Sequence, residues 1–539
     1  MEIDARGVRD DSELHADLCI IGAGPAGLTI ARALARPGLR ILLLESGGHH
    51  PDPAAQALGA GTTTDPTYVD PGLTMRRQAG GTAQDWNTAV GPEIGAKYLP
   101  LEPIDFETRD WVPGSGWPLD RAALDPYYAR AHAVCELGPI SYRPADWTDP
   151  ARPPLALGGG RVVTAIYRYG LARTFTDVHL TDVCRAEHIV VCLHGTVVEV
   201  ATGSDHRTVS HVRVRCLSGT GFRVRARLFV LAAGGIENAR LLLASTGACA
   251  RGLGNEHDVV GRYFMDHPRD YSCALVPADR ALFERAGFYD AHPTPNGYVM
   301  GRLALSADCL RREGLLNMSA TLRPRPPGHR SAGMRALRAL RSTSLRRPVE
   351  VLRRAGRLTI GLGDVVGYGY RRHVLGHEAI DVDWSGLPDK ARRFETFELL
   401  LNLEQAPDPD NRITLGPGRD ALGQPRAHVA WRWRERDQRS LDQARRILAQ
   451  DLERAGVGRI VPIPGAILDP NAHHHLGATR MHRDARQGVV DEHGRVHATA
   501  NLFAAGSSVF PTGGCANPTL TIVALALRLA DHLGRALAG

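Results

Sequence analysis

A glycine-rich turn held between a strand and a helix sets the tightest limit on how this chain folds. Leu18-Cys19-Ile20-Ile21 is a short apolar run that reads as a buried strand. Gly22-Ala23-Gly24-Pro25-Ala26-Gly27 follows, and Leu28, Ala31, Leu34 and Ala35 then recur at helical spacing until Pro37-Gly38. Arg40 to Glu45 supplies a second strand, which completes one βαβ unit of a doubly wound sheet. Gly22 permits the tight turn, Gly24 lets a pyrophosphate approach the backbone, and Gly27 lets helix and strand pack closely. The positive end of the helix then faces the phosphates. Glu45 stands where a ribose-binding acid is expected, and its charge would repel a 2′-phosphate, which argues against NADP. FAD and NAD both use this kind of cradle. No second complete G-x-G-x-x-G follows a strand, so a separate nicotinamide site has no support.

Further pieces of the same character come much later. Val190–Val200 and Arg213–Val224 alternate like antiparallel strands. Phe229–Ala233 reads as a buried strand running into Gly234-Gly235 and a helix over Glu237–Ala244. Asn501–Gly506 is the last such strand, and Pro518 opens a long apolar helix to Leu537. The expected organisation is a cofactor domain assembled from residues 1–110, 180–265 and 471–539. Residues 111–179 connect or cap it, and residues 266–470 form a substrate domain. The fold class is α/β, α+β overall: a Rossmann-like domain with a parallel sheet beside a mainly antiparallel sheet with helices.

At 539 residues the chain is too long for one ordinary core, which agrees with two packed domains. The formal charge of +7 is small for this length, and a nucleic-acid footprint needs clustering on one face rather than a total, so no nucleic-acid partner is expected. Arg323–Arg357 is rich in arginine and reads as a solvated pair of helices in an insertion, with a basic groove for an acidic partner or anionic lipid as the alternative. The apolar runs are too short to span a membrane, and Met1–Ala16 lacks a signal pattern. Nine scattered cysteines without a C-x-x-C pair suit reduced thiols, so the expected setting is the cytoplasm. His473, His474 and His475 are consecutive; in extended chain they point to alternate faces, so no metal site is expected.

The C-terminal motifs carry a specific resemblance. His474-His475-Leu476-Gly477-Ala478-Thr479-Arg480-Met481, then Gly488-Val489-Val490-Asp491, Asn501–Ser508 and Ala516-Asn517-Pro518-Thr519 occur in order. With Glu45-Ser46-Gly47, Gly80-Gly81-Thr82, Leu231–Gly235 and Asp266-His267-Pro268, they resemble the glucose-methanol-choline (GMC) oxidoreductases, nearest the pyranose-oxidase-like and bacterial sugar-acting branches. The resemblance implies an FAD-dependent alcohol oxidase or dehydrogenase in which a base takes the hydroxyl proton while hydride passes to flavin N5. It assigns the base to His474 and orientation of the substrate oxygen to Asn517.

For the cofactor, the resemblance adds Gly80 and Gly81 beside the flavin ring and Val198 on the adenine side to Gly22, Gly24, Gly27 and Glu45. Gly506 and Ser507 would reach the pyrophosphate and ribityl chain, and Pro518 and Thr519 would open the helix facing the isoalloxazine. Asp85 precedes Trp86 where relatives with attached flavin carry histidine, so the FAD is expected to be non-covalent and Asp85 to sit in a salt bridge. Asp266-His267-Pro268, one of the contacts the resemblance carries over, reads equally as a tight turn at the domain junction, and the turn is the favoured reading. The implied substrate is a small-molecule alcohol: a sugar or polyhydroxylated natural-product intermediate, aminoglycoside precursors included. A sterol or other non-sugar alcohol is the alternative, as is non-redox hydroxynitrile lyase chemistry on the same scaffold. The electron acceptor, oxygen or another, stays open.

Overall fold

The computed structural model describes residues 1–329, 331–341, 362–373 and 379–538, so much of the arginine-rich stretch lies outside the described residues. Leu18 to Ile21 are each at most 5% exposed, because the parallel strands here are covered on both faces. Glu13–Ile21 lies between Ile41–Leu44 and Gly221–Leu231, parallel to both. Ile189–Leu193 extends the parallel ladder on one side and Leu502–Ala504 on the other. Helices Pro25–Leu34 and Thr519–Ala538 pack on this sheet through Leu28, Ala31, Leu34, Ala526, Leu529 and Leu533. One sheet therefore joins sequence from both ends of the chain.

Two sequence expectations change here. Val190–Val200 is not one antiparallel strand: Ile189–Leu193 runs parallel to Ile41–Leu44, and the chain breaks at His194, φ 61°, before Thr196–Thr202. The run 189–193 is buried almost throughout, which marks a two-sided central strand rather than an alternating edge. The alternation in 213–224 belongs to a hairpin of Val209–Arg215 and Gly221–Leu231.

The second sheet is antiparallel, with nine strands among the described residues. Its centre is Thr396–Leu403, Met318–Arg325, Gly297–Leu305 and Val162–Leu171. The period of two divides its faces. Leu399, Leu401, Ala320 and Leu322 pack in a core with Leu441, Ile447 and Leu448 of helix Glu435–Arg454, whereas Leu400, Asn402, Thr321 and Arg323 front a cleft. Thr88–Val90, Glu93–Tyr98 and Val162–Leu171 also pair in this sheet. The sequence boundaries, which put 88–98 in the first cofactor segment and 162–171 in a connecting region, are corrected accordingly. Among the described residues no helix is long and apolar enough to cross a membrane.

Candidate active site

A cleft of about 700 Å³ runs from the glycine turn to the inner face of the antiparallel sheet, within the size range of small-molecule sites. Its floor begins at Gly22, whose φ of +110° and approach to the Ala232 carbonyl, 2.5 Å from where a Cβ would stand, admit only glycine. Gly27 is equally constrained, since a Cβ there would lie 2.0 Å from the Gly22 oxygen. Gly24 differs: it lines the cleft, and an added Cβ would meet only the Gly81 Cα at 3.8 Å. Helix Pro25–Leu34 starts there with no side-chain cap, so its first amides are left for a ligand. Glu45 ties the turn together, accepting from the Ala23 and Gly47 amides at 2.9 Å each while fronting the cleft. Burial raises its pKa, and those amides pull against the rise.

Gly81 packs directly on Gly24, where a Cβ on residue 81 would stand 2.8 Å from the Gly24 Cα, and the Gly80 amide donates to the Ala23 carbonyl at 2.9 Å. Beyond them, Gly506 and Ser507 follow strand Leu502–Ala504, and Asn517, Pro518 and Thr519 open the last helix; all five line the cleft. Gly27 and Gly80 stand behind the cleft as supports. Val198 does not reach it: its side chain packs with Leu58 and Leu422, and Thr196 and Val197 supply the wall instead. The register of strand Thr196–Thr202 turns alternate residues to opposite faces, so a one-residue offset moves the contact.

His474 and Asn517 come together at the centre, with Asn517 Nδ2 3.2 Å from His474 Nε2. The other nitrogen, Nδ1, is 3.0 Å from Nδ1 of His267, whose Nε2 faces the Gly513 carbonyl at 3.3 Å. A carbonyl only accepts, so His267 carries its proton on Nε2 and accepts on Nδ1. His474 must then donate from Nδ1, which leaves the Nε2 lone pair to accept from Asn517. Burial pushes His267 down to about 4 and, with His267 beside it, holds His474 well below the ordinary histidine value. Both rings are neutral at pH 7, and His474 is poised as a proton acceptor.

Asp266 fixes this pair through the backbone. Its Oδ1 accepts from the His267 amide at 2.7 Å and the His474 amide at 2.9 Å, and its Oδ2 accepts from Tyr68 at 2.9 Å. The expected tight turn at 266–268 is instead extended chain: Met265 bridges Leu476, and Arg269 bridges Asp469. Sequence reasoning noticed this motif but missed its place beside His474. Of the other consecutive histidines, His473 lines the cleft at φ +62°, while His475 is buried against Phe264. Asp85 is ion-paired with Arg76, its Oδ1 accepting from Arg76 Nε at 3.0 Å.

A family model described as GMC oxidoreductase matches residues 407–526, and one described as an NAD(P)-binding Rossmann-like domain matches residues 20–51. The chain is 27% identical to 6'''-hydroxyparomomycin C oxidase of Streptomyces lividus, over 96% of this chain and 92% of that one. It is 26% identical to the fructose dehydrogenase large subunit of Gluconobacter japonicus, over 96% and 98%. Among solved structures, a pyridoxine 4-oxidase from Mesorbium loti superposes with a TM-score of 0.51 at 18% identity, covering 96% of this chain and 99% of that one. A fungal aryl-alcohol oxidase gives 0.52 at 15% identity, covering 99% and 100%. The last two likenesses speak for the fold alone.

Proposed function

This chain belongs to the glucose-methanol-choline oxidoreductases, and on that premise we propose that it oxidises a carbinol of a polyhydroxylated alcohol with FAD held in the long cleft. The cleft fits that cofactor. Uncapped amides at the start of helix Pro25–Leu34 and the open backbone at Gly24 suit a pyrophosphate, and Glu45 suits a ribose. Bound there, FAD supplies at N5 the acceptor for the hydride that leaves the carbinol carbon.

The observation that carries this reading is the ordered series Gly513 carbonyl, His267, His474, Asn517, which ends with a free-base nitrogen at the cleft wall. His474 Nε2 takes the hydroxyl proton, and the Asn517 amide orients the substrate oxygen. Asn517 has no basic site, so proton removal falls to His474 alone. Asp266 holds the backbone of both histidines and keeps the imidazoles in register. The chamber wall carries Lys97, Arg269, Arg323 and Asn402, which suits a hydroxyl-rich substrate better than a sterol. Simple sugars meet that description, and aminoglycoside intermediates share the hydroxyls but bring positive charge to a cationic wall. Anaerobic mixing with a panel of sugars, aminocyclitol glycosides and sterols tests the reading by bleaching of the flavin absorbance; bleaching by sterols alone overturns it.

With a carboxylate at Asp85 already committed to Arg76, the FAD is held without a covalent bond to that position. Acid precipitation is expected to release all of the flavin into the supernatant; flavin that stays with the pellet refutes this.

His267 is a positioning residue. His267→Leu removes the acceptor for His474 Nδ1–H and frees the ring to take the wrong tautomer, which is expected to slow flavin reduction about tenfold or more. His267 also depresses the His474 pKa, so its loss lets that pKa rise and shifts the acid limb of the pH–rate profile to higher pH. His267→Asn, which keeps an acceptor oxygen, is expected to recover part of the rate. An unmoved acid limb in His267→Leu would leave His267 with a packing role only.

A further inference from the structure

The inner face of the antiparallel sheet holds several cations, and one of them differs from the rest. Arg269 donates to Asp469 at 2.7 Å and to the Asn471 carbonyl. Arg323 lies 3.3 Å from Asp381, which also pairs with Arg325 at 2.7 Å, and Arg302 donates to Glu102 at 2.9 Å. Each guanidinium therefore has a carboxylate. Lys97, on strand Glu93–Tyr98 opposite Tyr169, has none: among the described residues its ammonium makes no hydrogen bond or ion pair and rests 4.9 Å from the Tyr167 ring centre. It fronts the same cleft as His474.

Lys97 is half-buried with its side chain on the cleft, so a ligand that displaces the solvent there without supplying a negative charge would leave the ammonium unpaired, which is costly. Burial and then Arg323 push Lys97 down to about 7, with Asp381 opposing, which records the same deficit. Among the described residues the guanidiniums of Arg269, Arg302, Arg323 and Arg325 meet Asp469, Glu102, Asp381 and Glu398, and Lys97 alone on this face is left without a carboxylate, so the face favours a ligand bearing one negative charge over a polycation.

Resting on the alcohol oxidation argued above, we infer that Lys97 binds a carboxylate on the substrate, which makes the substrate a polyhydroxy acid of the aldonic or uronic kind. The hydroxyl-bearing end of such a molecule lies toward His474 and Asn517, and its acidic end lies on the sheet. A dianionic phosphate would find only half its charge met.

The test compares D-gluconate, its neutral partner D-sorbitol and the polycation paromamine with the FAD-loaded enzyme, by anaerobic flavin reduction and by melting temperature. In the wild type, gluconate is expected to give the highest kcat/KM and the largest rise in melting temperature. Lys97→Met is expected to lower the gluconate-to-sorbitol ratio of kcat/KM about 10- to 100-fold, the range for one charge-assisted contact. Lys97→Arg is expected to recover most of it. A better rate with sorbitol or paromamine, or an unchanged ratio in Lys97→Met, overturns the assignment. If no alcohol reduces the flavin, the oxidation reading fails by itself. The melting temperatures then decide Lys97: a gluconate shift present in the wild type and absent in Lys97→Met upholds it, and equal shifts or none refute it.

Discussion

Replacing His474 with alanine is expected to leave a yellow protein in which substrate reduces the flavin more slowly by about two to four orders of magnitude. The contacts proposed for the cofactor at the glycine turns and at Glu45 do not involve this ring, so FAD is expected to be retained. What disappears is the proton acceptor. A carbinol carbon gives up hydride readily only as its hydroxyl proton leaves, and Asn517 cannot take that proton. The pH dependence follows from the same environment. Burial first, and His267 next, keep the His474 pKa well below 6.5, so the wild-type rate should stay flat as pH falls from neutrality past 6.5. Protonation and loss of rate come only at lower pH. Stopped-flow reduction across pH checks both statements: near-normal rates in His474→Ala would mean that another group is the base, and an acid limb at or above 6.5 would contradict the low pKa.

Much of this arrangement is legible in the sequence because the signals are local. The turn from Gly22 to Gly27 needs only its own strand and helix to declare itself, and the helix over Glu237–Ala244 has the expected ends. His474 and Asn517 were marked by motif and are found 3.2 Å apart, although 43 residues separate them. What escaped the sequence depends on pairing between distant segments. Residues 265–269 look like a turn until Met265 meets Leu476, 211 residues away in sequence, and places His267 against His474. Strands 88–90 and 93–98 fall inside the expected first cofactor segment, and nothing in their own residues says that they pair toward Val162–Leu171. Val198 rests on the resemblance alone, and nothing in the residues of its strand says which neighbour fronts the cleft, where the structure has Thr196 and Val197. Lys97 gave no signal at all, since a lone lysine in an alternating strand becomes unusual only when every nearby arginine proves to have a carboxylate.

The glycine turn separates folding from cofactor capture, and two substitutions in it are expected to behave in opposite ways. In Gly27→Val, the new Cβ would sit 2.0 Å from the Gly22 oxygen and 3.3 Å from Ile20 Cγ2, a backbone collision that no rotamer relieves. Helix Pro25–Leu34 has to move off the strand, which costs about 1–3 kcal/mol or more and displaces the amides proposed to hold the pyrophosphate. That protein should purify colourless, melt at a lower temperature and fail to take up FAD. In Gly24→Ala the backbone is extended, φ −83° and ψ −175°, and the nearest atom to the new Cβ is 3.8 Å away, so the fold accepts it. The apoprotein should melt within a degree or two of the wild type, about what a surface substitution does. Gly24 nevertheless lines the cleft and packs on Gly81, so on the proposed placement of the pyrophosphate a methyl group here crowds the turn that the ligand has to approach, and FAD affinity should fall at least about tenfold. Fluorescence titration of the apoproteins with FAD, beside their thermal melts, reads both effects. Wild-type affinity in Gly24→Ala would remove the cofactor from this turn, and a melting temperature as low as that of Gly27→Val would mean that the glycine at 24 serves the fold rather than the ligand.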